Sequence, residues 1–362
     1  LANDPDPTEE RTSLDKPARR VRGATIIDVA KHAGVSAMTV SRVINSGPGV
    51  REETRQIVNE AIRELNYTPN VAARSLVTSG ELRIGIIYSN PSAAFMSDFL
   101  SGVFEEASAQ GVQLRLLKGK EGRPPSAEAI GELIASGIRG VILAPPLGES
   151  AAVCRILRAA GLPMAVVGGM SNDSISVRID DRSAAYDMTC HLLALGHRRL
   201  GFIIGNPDQS ASAERLSGFH DAVREHGDVE TIVVQGDFSY ASGLIAGEQM
   251  LGASEPPTAI FASNDDMAAA VVSVAHRRHL DVPQDLTVVG FDDTTAAVTL
   301  WPPLTTIRQP VRELAVEALQ LLTQDIQATA PAKRNAGRGR VFPHALIERQ
   351  STASPPTGAD KN

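Results

Sequence analysis

Apolar positions between residues 25 and 65 recur at helical spacing. Ile26, Val29 and Ala30 form one set, Val40, Val43 and Ile44 a second, and Ile57, Ala61, Ile62 and Leu65 a third. Each set predicts a short helix with one buried face. The polar punctuation agrees. Thr25 and Ser36 stand where N-cap hydroxyls belong. Gly34 is free to take a positive φ and end the first helix, and Val35 plugs the corner behind it. Glu52 and Glu53 fall in the first turn of the third helix, where carboxylates favour the helix dipole. Two short helices joined by one tight turn, with a third closing the core, predict a helix-turn-helix.

The period changes after residue 82. "LRIGIIYSN", "VQLRLLKG", "GVILAPP" and "PMAVVGG" read as strands, alternating with helical stretches such as 96–110 and 127–136. The rhythm restarts at "RLGFIIGNPD" and continues through "TIVVQGDF", "AIFASND" and "LTVVGFDD". The expectation is two α/β lobes, each a parallel sheet with helices on both faces. Between head and body, Asn70 can cap a short helix over 71–77, with Ala72, Ala73 and Leu76 on one face. Two turns are not stable alone in water, so that helix needs DNA or a second copy of itself; the alternative is a plain linker.

Charge sharpens the division. The chain has 362 residues and a net charge of −7. Residues 16–80 carry ten basic and five acidic side chains, a surplus of +5 that leaves −12 on the rest. A basic head on an acidic body suits a protein that touches a polyanion with one end. Cys154 and Cys190 belong to no CxxC or Cys/His cluster, and the dispersed histidines suggest no metal site. No apolar run reaches the ~20 residues of a membrane span, and the first 24 residues lack a signal-peptide core, which predicts a cytoplasmic protein with a disordered arm over 1–23.

Candidate chemistry sits in two places. Ala37, Met38, Thr39, Ser41 and Arg42 remain outward on the second helix. An arginine there can reach guanine edges, Ala or Met can pack on a thymine methyl, and hydroxyls can bind phosphate. The alternative is a small protein-binding bundle with a solvated face. In the body, Ser89-Asn90, Asn206, Asn264-Asp265 and Asp292-Asp293 each follow a strand. Ligands of open parallel sheets bind at that edge, and carboxylates, amides and an arginine beside an aromatic ring such as Phe238 suit a sugar.

"TIIDVAKHAGVSAMTVSRVIN" and "TRQIVNEAIRELNYTPNVAARSL", with the body in order and spacing, resemble the LacI/GalR family of bacterial transcription regulators. The resemblance spans about residues 24–352 and implies an α/β fold class: a small all-α head and a two-lobed, periplasmic-binding-protein-like (type I) effector domain with parallel sheets. It implies that Ala37, Met38 and Arg42 read the major groove. Thr25, Ser36, Thr39, Ser41, Asn45, Thr54 and Arg55 match phosphate-contact positions, Ala73 and Leu76 match the hinge-helix residues that enter the minor groove, and Asn70, the cap of that helix, is counted among the DNA-binding residues. Arg51 departs from the family's common Ser cap on the third helix. In the body the implied effector residues are Ser89, Asp181, Arg215, Phe238, Asn264 and Asp292. "GIIYSNPSAAFMSDFLSG", "LAPPL" and "SASAERLSGF" are most similar to a subgroup answering to β-glucosides such as salicin.

The implied organisation is a head over 24–69, a hinge helix and linker over 70–81, and an effector-binding and dimerisation domain over 82–352 with a loose tail over 353–362. Crossings near Leu193, Ile307 and Gly339 assign about 82–193 and 308–338 to the first lobe and 194–307 and 339–352 to the second. "VFPHALIERQ" then reads as one strand returning to the second lobe. The expected function is a repressor that binds operator DNA as a homodimer, tetramer not excluded, under control of a small sugar or glycoside. The competing classes are a transporter's solute-binding protein, a corepressor-dependent regulator binding a non-sugar metabolite, and an α/β enzyme. No GxGxxG, GxxxxGK[ST] or GxSxG is present, so no catalytic residue or cofactor is expected. His197 reads as a structural contact.

Overall fold

The computed structural model describes residues 25–44, 51–65, 82–120, 123–171, 173–328 and 339–356. The expected arm, hinge helix and end of the tail lie outside the described residues, as do Asn45, Asn70, Ala73 and Leu76. The chain divides between Gly80 and Glu81 into two units.

In the first unit, α1 (Ile26–His32) opens on a capping box: the Thr25 hydroxyl accepts the Asp28 N–H at 3.3 Å, and the Asp28 carboxylate accepts the Thr25 N–H at 2.8 Å. Gly34, at φ +67°, turns the chain. Ser36 then accepts the Thr39 N–H at 3.1 Å and starts α2 (Ala37–Ile44). α3 (Glu52–Glu64) begins at Arg51 without a side-chain cap. Val29, Ala30, Val40, Val43, Val58 and Ala61 form the core, with Ile62 and Leu65 packed on it. Ile57 corrects the expected stripe: it is 52% exposed, and Val58 takes the inward place. The buried line 58, 61, 62, 65 tracks the helix face more closely than 57, 61, 65 does. His32 Nε2 and Glu64 Oε2, 2.6 Å apart, tie α1 to α3.

The second unit runs β1 (Arg83–Tyr88), α4 (Ala93–Gln110), β2 (Gln113–Lys118), α5 (Ala127–Ala135), β3 (Gly140–Leu143), a 3-10 turn (Leu147–Glu149), α6 (Ala151–Ala159), β4 (Met164–Val167) and β5 (Ile175–Ile179). It continues α7 (Asp181–Ala194), β6 (Arg199–Ile204), α8 (Ser210–His226), β7 (Glu230–Gln235), α9 (Tyr240–Leu251), β8 (Ala259–Ala262) and α10 (Asp265–Arg277). Last come β9 (Thr287–Asp292), α11 (Thr295–Thr299), β10 (Thr305–Arg308), α12 (Val311–Gln327), β11 (Gly339–Phe342) and β12 (Ala345–Ile347). Two six-stranded sheets result, ordered β11-β5-β4-β3-β1-β2 and β12-β10-β9-β8-β6-β7. Their pairs are parallel except β10 with β12. β1, β3 to β5, β8 and β9 are largely buried and apolar, as strands covered on both faces must be.

The lobes meet the same packing problem in the same way. A Cβ on Gly102 of α4 would stand 2.4 Å from the Arg312 carbonyl oxygen of α12. One on Gly218 of α8 would stand 2.1 Å from that of Arg182 on α7. Each glycine lets two helices cross at close approach.

Two expected boundaries move. α7 packs on α8 and belongs to the second lobe, so the first crossing lies at Asp180 rather than Leu193. Arg182 with Asp221 and Tyr186 with Glu225 join the two helices along their length. Helical periodicity says which face of a helix is apolar but not which sheet will cover it. The segment read as one last strand is two. β11 joins β5 of the first lobe, and β12 pairs antiparallel with β10 of the second. Pro343, with no N–H to donate, separates them, so the third crossing lies at 343–344. The second crossing, between β10 and α12, falls close to Ile307.

Candidate functional site

A cleft with about 400 Å³ of empty space, open solvent included, lies where the carboxyl ends of the two sheets face each other. Asn90, Pro145 and Gly168 follow β1, β3 and β4 of the first lobe, and Ser92 and Phe95 start α4. The second lobe contributes Asp181, Gln209, Arg215, Phe238, Asn264, Asp292 and Gln309. Most wall residues lie within a few positions of the carboxyl end of a parallel strand, where the backbone turns away at the crevice.

Arg215, buried on the inner face of α8, organises the floor. Its Nε donates to Asp181 Oδ1 at 2.8 Å and its Nη1 to the Ser263 carbonyl at 2.5 Å. The guanidinium carbon stands 3.5 Å from the Phe291 ring centroid and 5.7 Å from that of Phe238, so two aromatic faces help hold a charge taken out of water. Asp292 receives the Gln309 amide at 2.5 Å and lies 4.0 Å from Arg215 Nη1. Burial pushes both Asp181 and Asp292 above the usual carboxylate range, against the opposing pull of Arg215. Beneath them Asp265 accepts from the Thr294 N–H at 2.7 Å and the Thr306 hydroxyl at 2.7 Å, and burial raises its carboxyl to about 7.

Phe238 (φ +71°), Asp292 (φ +112°) and Asp293 (φ +60°) are non-glycine residues at positive φ. Such backbone is costly unless its surroundings over-determine it. The surroundings do so here. The Asn264 amide donates to the Phe238 carbonyl at 2.9 Å, and Asp293 is clamped by Arg308 at 2.6 Å and Arg349 at 2.5 Å. Gly205 lets the Phe238 ring lie against the end of β6, where a Cβ would be 2.0 Å from Cζ.

Of the six effector residues expected from the sequence, Asp181, Arg215, Phe238, Asn264 and Asp292 line this cleft. Ser89 does not: it is buried with its hydroxyl donated to the Arg123 carbonyl at 2.8 Å, and its neighbour Asn90 faces the cleft instead. Successive residues past a strand point to opposite sides, so a one-residue step changes the wall. Asn206 closes a turn by accepting the Asp208 N–H at 2.8 Å. Gln209 and Gln309 were not singled out by sequence. Gln209 Nε2 is buried with no hydrogen-bond partner, an unmet donor at the cleft wall. The signal was available for Gln309, which directly follows β10, whereas Gln209 stands at the start of α8. His197 is held at both ring nitrogens, by the Thr258 hydroxyl at 2.8 Å and the Ala353 carbonyl at 2.9 Å, and burial lowers its pKa. Among the described residues no group of His, Cys, Asp and Glu could hold a metal ion.

In the head, Ser36, Ala37, Met38 and Arg42 are exposed, Met38 at 67%. Thr39 is half-buried and shares a 2.9 Å contact with the Ser36 hydroxyl. Thr54 and Arg55 are half-buried at the start of α3, with Arg55 Nε 3.7 Å from Glu52. Ser41 lies on α2. An exposed face of small groups, one methionine and one arginine on a helix held by two others is the shape that enters a major groove.

Residues 25–70 match the family described as "Bacterial regulatory proteins, lacI family", and residues 189–352 match the "Periplasmic binding protein-like domain". The HTH-type transcriptional repressor PurR of Pectobacterium carotovorum subsp. carotovorum (strain PC1) is 35% identical over 92% of this chain and 98% of its own length. The chain belongs to the LacI family. Two solved structures extend the match. The transcriptional regulator CelR–cellobiose complex is 30% identical, with a TM-score of 0.67 over 91% of this chain and 99% of that one. The lac repressor dimer bound to operator and the anti-inducer ONPF is 29% identical, with a TM-score of 0.67 over 92% and 100%. This LacI-family chain is thus a DNA-binding transcription regulator, with a helix-turn-helix head and a two-lobed effector-binding domain built on parallel sheets. Its relatives are transcription regulators rather than enzymes. The matches carry the family and stop short of the β-glucoside subgroup. Among the described residues no helix is long and apolar enough to cross a membrane.

Proposed function

We propose that this regulator is a cytoplasmic, homodimeric repressor whose operator affinity is set by a sugar or β-glucoside held in the cleft. The observation that carries this reading is the pairing of Arg215 with Asp181 and Asp292 beside the Phe238 ring. Carboxylates and amides at fixed spacing accept from adjacent hydroxyls, a guanidinium donates to a ring or hydroxyl oxygen, and the aromatic face covers the apolar side of a pyranose. A relative solved with cellobiose, a β-linked glucose disaccharide, supports the β-glucoside form.

The DNA side follows from the head. Arg42, Ala37 and Met38 read base edges; Thr25, Ser36, Thr39, Ser41, Asn45, Thr54 and Arg55 hold phosphates; Asn70, Ala73 and Leu76 serve a hinge helix in the minor groove. The head, which matches the lacI family of regulatory proteins, argues against a transporter component. Lobe movement would change the separation of the paired hinges, and a coupling of ~1–3 kcal/mol gives about a 5–150-fold change in operator affinity.

The test is a thermal-shift screen of the purified chain against a panel of glycosides, followed by operator binding with each hit. A ligand present at 100 times its dissociation constant adds about 2.7 kcal/mol of stability, an easily seen shift. A β-glucoside that stabilises the body and releases operator supports the proposal. A ligand that tightens operator binding makes it a corepressor. Stabilisation by non-sugar metabolites with no glycoside hit overturns the sugar assignment.

A further inference from the structure

α8 starts without a cap of its own. Its N-cap residue is Gln209, and the Gln209 side chain makes no capping hydrogen bond. The four leading N–H groups of a helix need partners. The first is supplied from the other lobe: Glu149, at the end of the 3-10 turn after β3, accepts the Ser210 N–H on Oε2 at 2.7 Å and the Ser210 hydroxyl on Oε1. Oε1 also accepts the Met170 N–H at 3.3 Å, which fixes the carboxylate to the first lobe. An anion at the positive end of a helix is favoured, so this bond joins the lobes with more than one neutral contact's strength. Gln209 meanwhile lines the cleft, and its buried Nε2 has no partner. One arrangement explains both facts, because Glu149 does the capping that the Gln209 side chain leaves undone.

We propose that Glu149 is a cross-lobe cap: it latches the second lobe's α8 onto the first lobe and releases Gln209 to line the cleft. When the lobes part, α8 loses that cap. Gln209 is then the residue placed to fold back over the helix start, which withdraws it from the cleft. The latch goes beyond the sugar assignment and stands whatever the cleft binds.

The experiment is hydrogen–deuterium exchange of the effector-free full chain, read at two segments. Residues 208–214 report the α8 start. Residues 90–95 lie on the opposite wall, where Ser92 and Phe95 are buried, and share no hydrogen bond with Glu149 or Ser210. Glu149→Ala should raise exchange about five- to tenfold in both segments, as expected when a cap is lost and the lobes part. Adding Gln209→Ser, a good N-cap, should restore 208–214 and leave 90–95 fast. Unchanged exchange at 90–95 in Glu149→Ala, or recovery of both segments in the double variant, would overturn the latch and leave a local cap. If the alanine variant does not fold, Glu149→Gln keeps an acceptor without the charge. Faster exchange at 90–95 in that variant supports the latch, and no change there overturns it.

Discussion

Arg215 Nη1 and Asp292 Oδ1 face each other at 4.0 Å, too far apart for a hydrogen bond, because each is held by something else. The Ser263 carbonyl accepts from Arg215 Nη1, and the Gln309 amide donates to Asp292 Oδ1. Two polar groups pinned just short of contact can both reach one ligand hydroxyl. Asp292→Asn keeps the shape and an acceptor while removing the carboxyl. The expected outcome is a loss of ~1.5–3 kcal/mol in affinity for the glycoside hit, with operator binding retained. Isothermal titration beside a gel shift checks it, and wild-type affinity would remove Asp292 from the effector site.

Arg215→Ala is a different experiment. It strips Asp181 of its 2.8 Å partner and leaves a buried carboxylate uncompensated. Breaking such a pair costs ~3–5 kcal/mol, so the body should unfold at clearly lower denaturant. Chemical unfolding monitors this, and a stability within ~1 kcal/mol of wild type would contradict the organising role given to Arg215.

Asp265 gives a pH signature. Its carboxyl rises from the ordinary 3.8 to about 7 in the fold because burial penalises the charge. Between those values the folded state keeps a proton that the unfolded state has lost. The contribution of Asp265 to stability therefore falls as pH climbs from about 4 to about 7, and is flat outside that window. Asp265→Asn should remove this slope, read as the difference between wild-type and variant unfolding curves across pH. Parallel curves would place the carboxyl at its ordinary value.

Arg42, exposed on α2, is expected to contact a base edge. Arg42→Ala should weaken operator binding by ~1–3 kcal/mol and relax preference at one position per half-site. Binding to a library randomised at each operator position discriminates, since an equal loss on every sequence makes Arg42 a phosphate contact.

Leu76 lies outside the described residues, and its role rests on the sequence and the family. As the large apolar side chain of the hinge, it is expected to wedge between base pairs, offsetting the few kcal/mol of unstacking with added wrapped surface. Leu76→Ala should lower specific affinity and DNA bending together and leave nonspecific, charge-driven binding nearly unchanged. End-to-end energy transfer on a labelled operator reads the bend, and an unaltered angle would rule out the wedge.

Much of this protein is legible from local physics. Thr25, Gly34 and Ser36 announce the helix-turn-helix because capping and positive φ are decided within a few residues. Strand–helix alternation declares parallel sheets, and the polar residue past each strand announces a crevice. What the sequence left undecided concerns partners distant along the chain. The lobe that takes α7, the split of the last strand, the turning of Asn90 rather than Ser89 into the cleft, and the capping of Ser210 by Glu149 all depend on which surfaces meet. Periodicity names the apolar side of an element and the residues that need a partner. Only the folded chain supplies that partner, because the choice is made by packing across two sheets rather than by any neighbour in sequence.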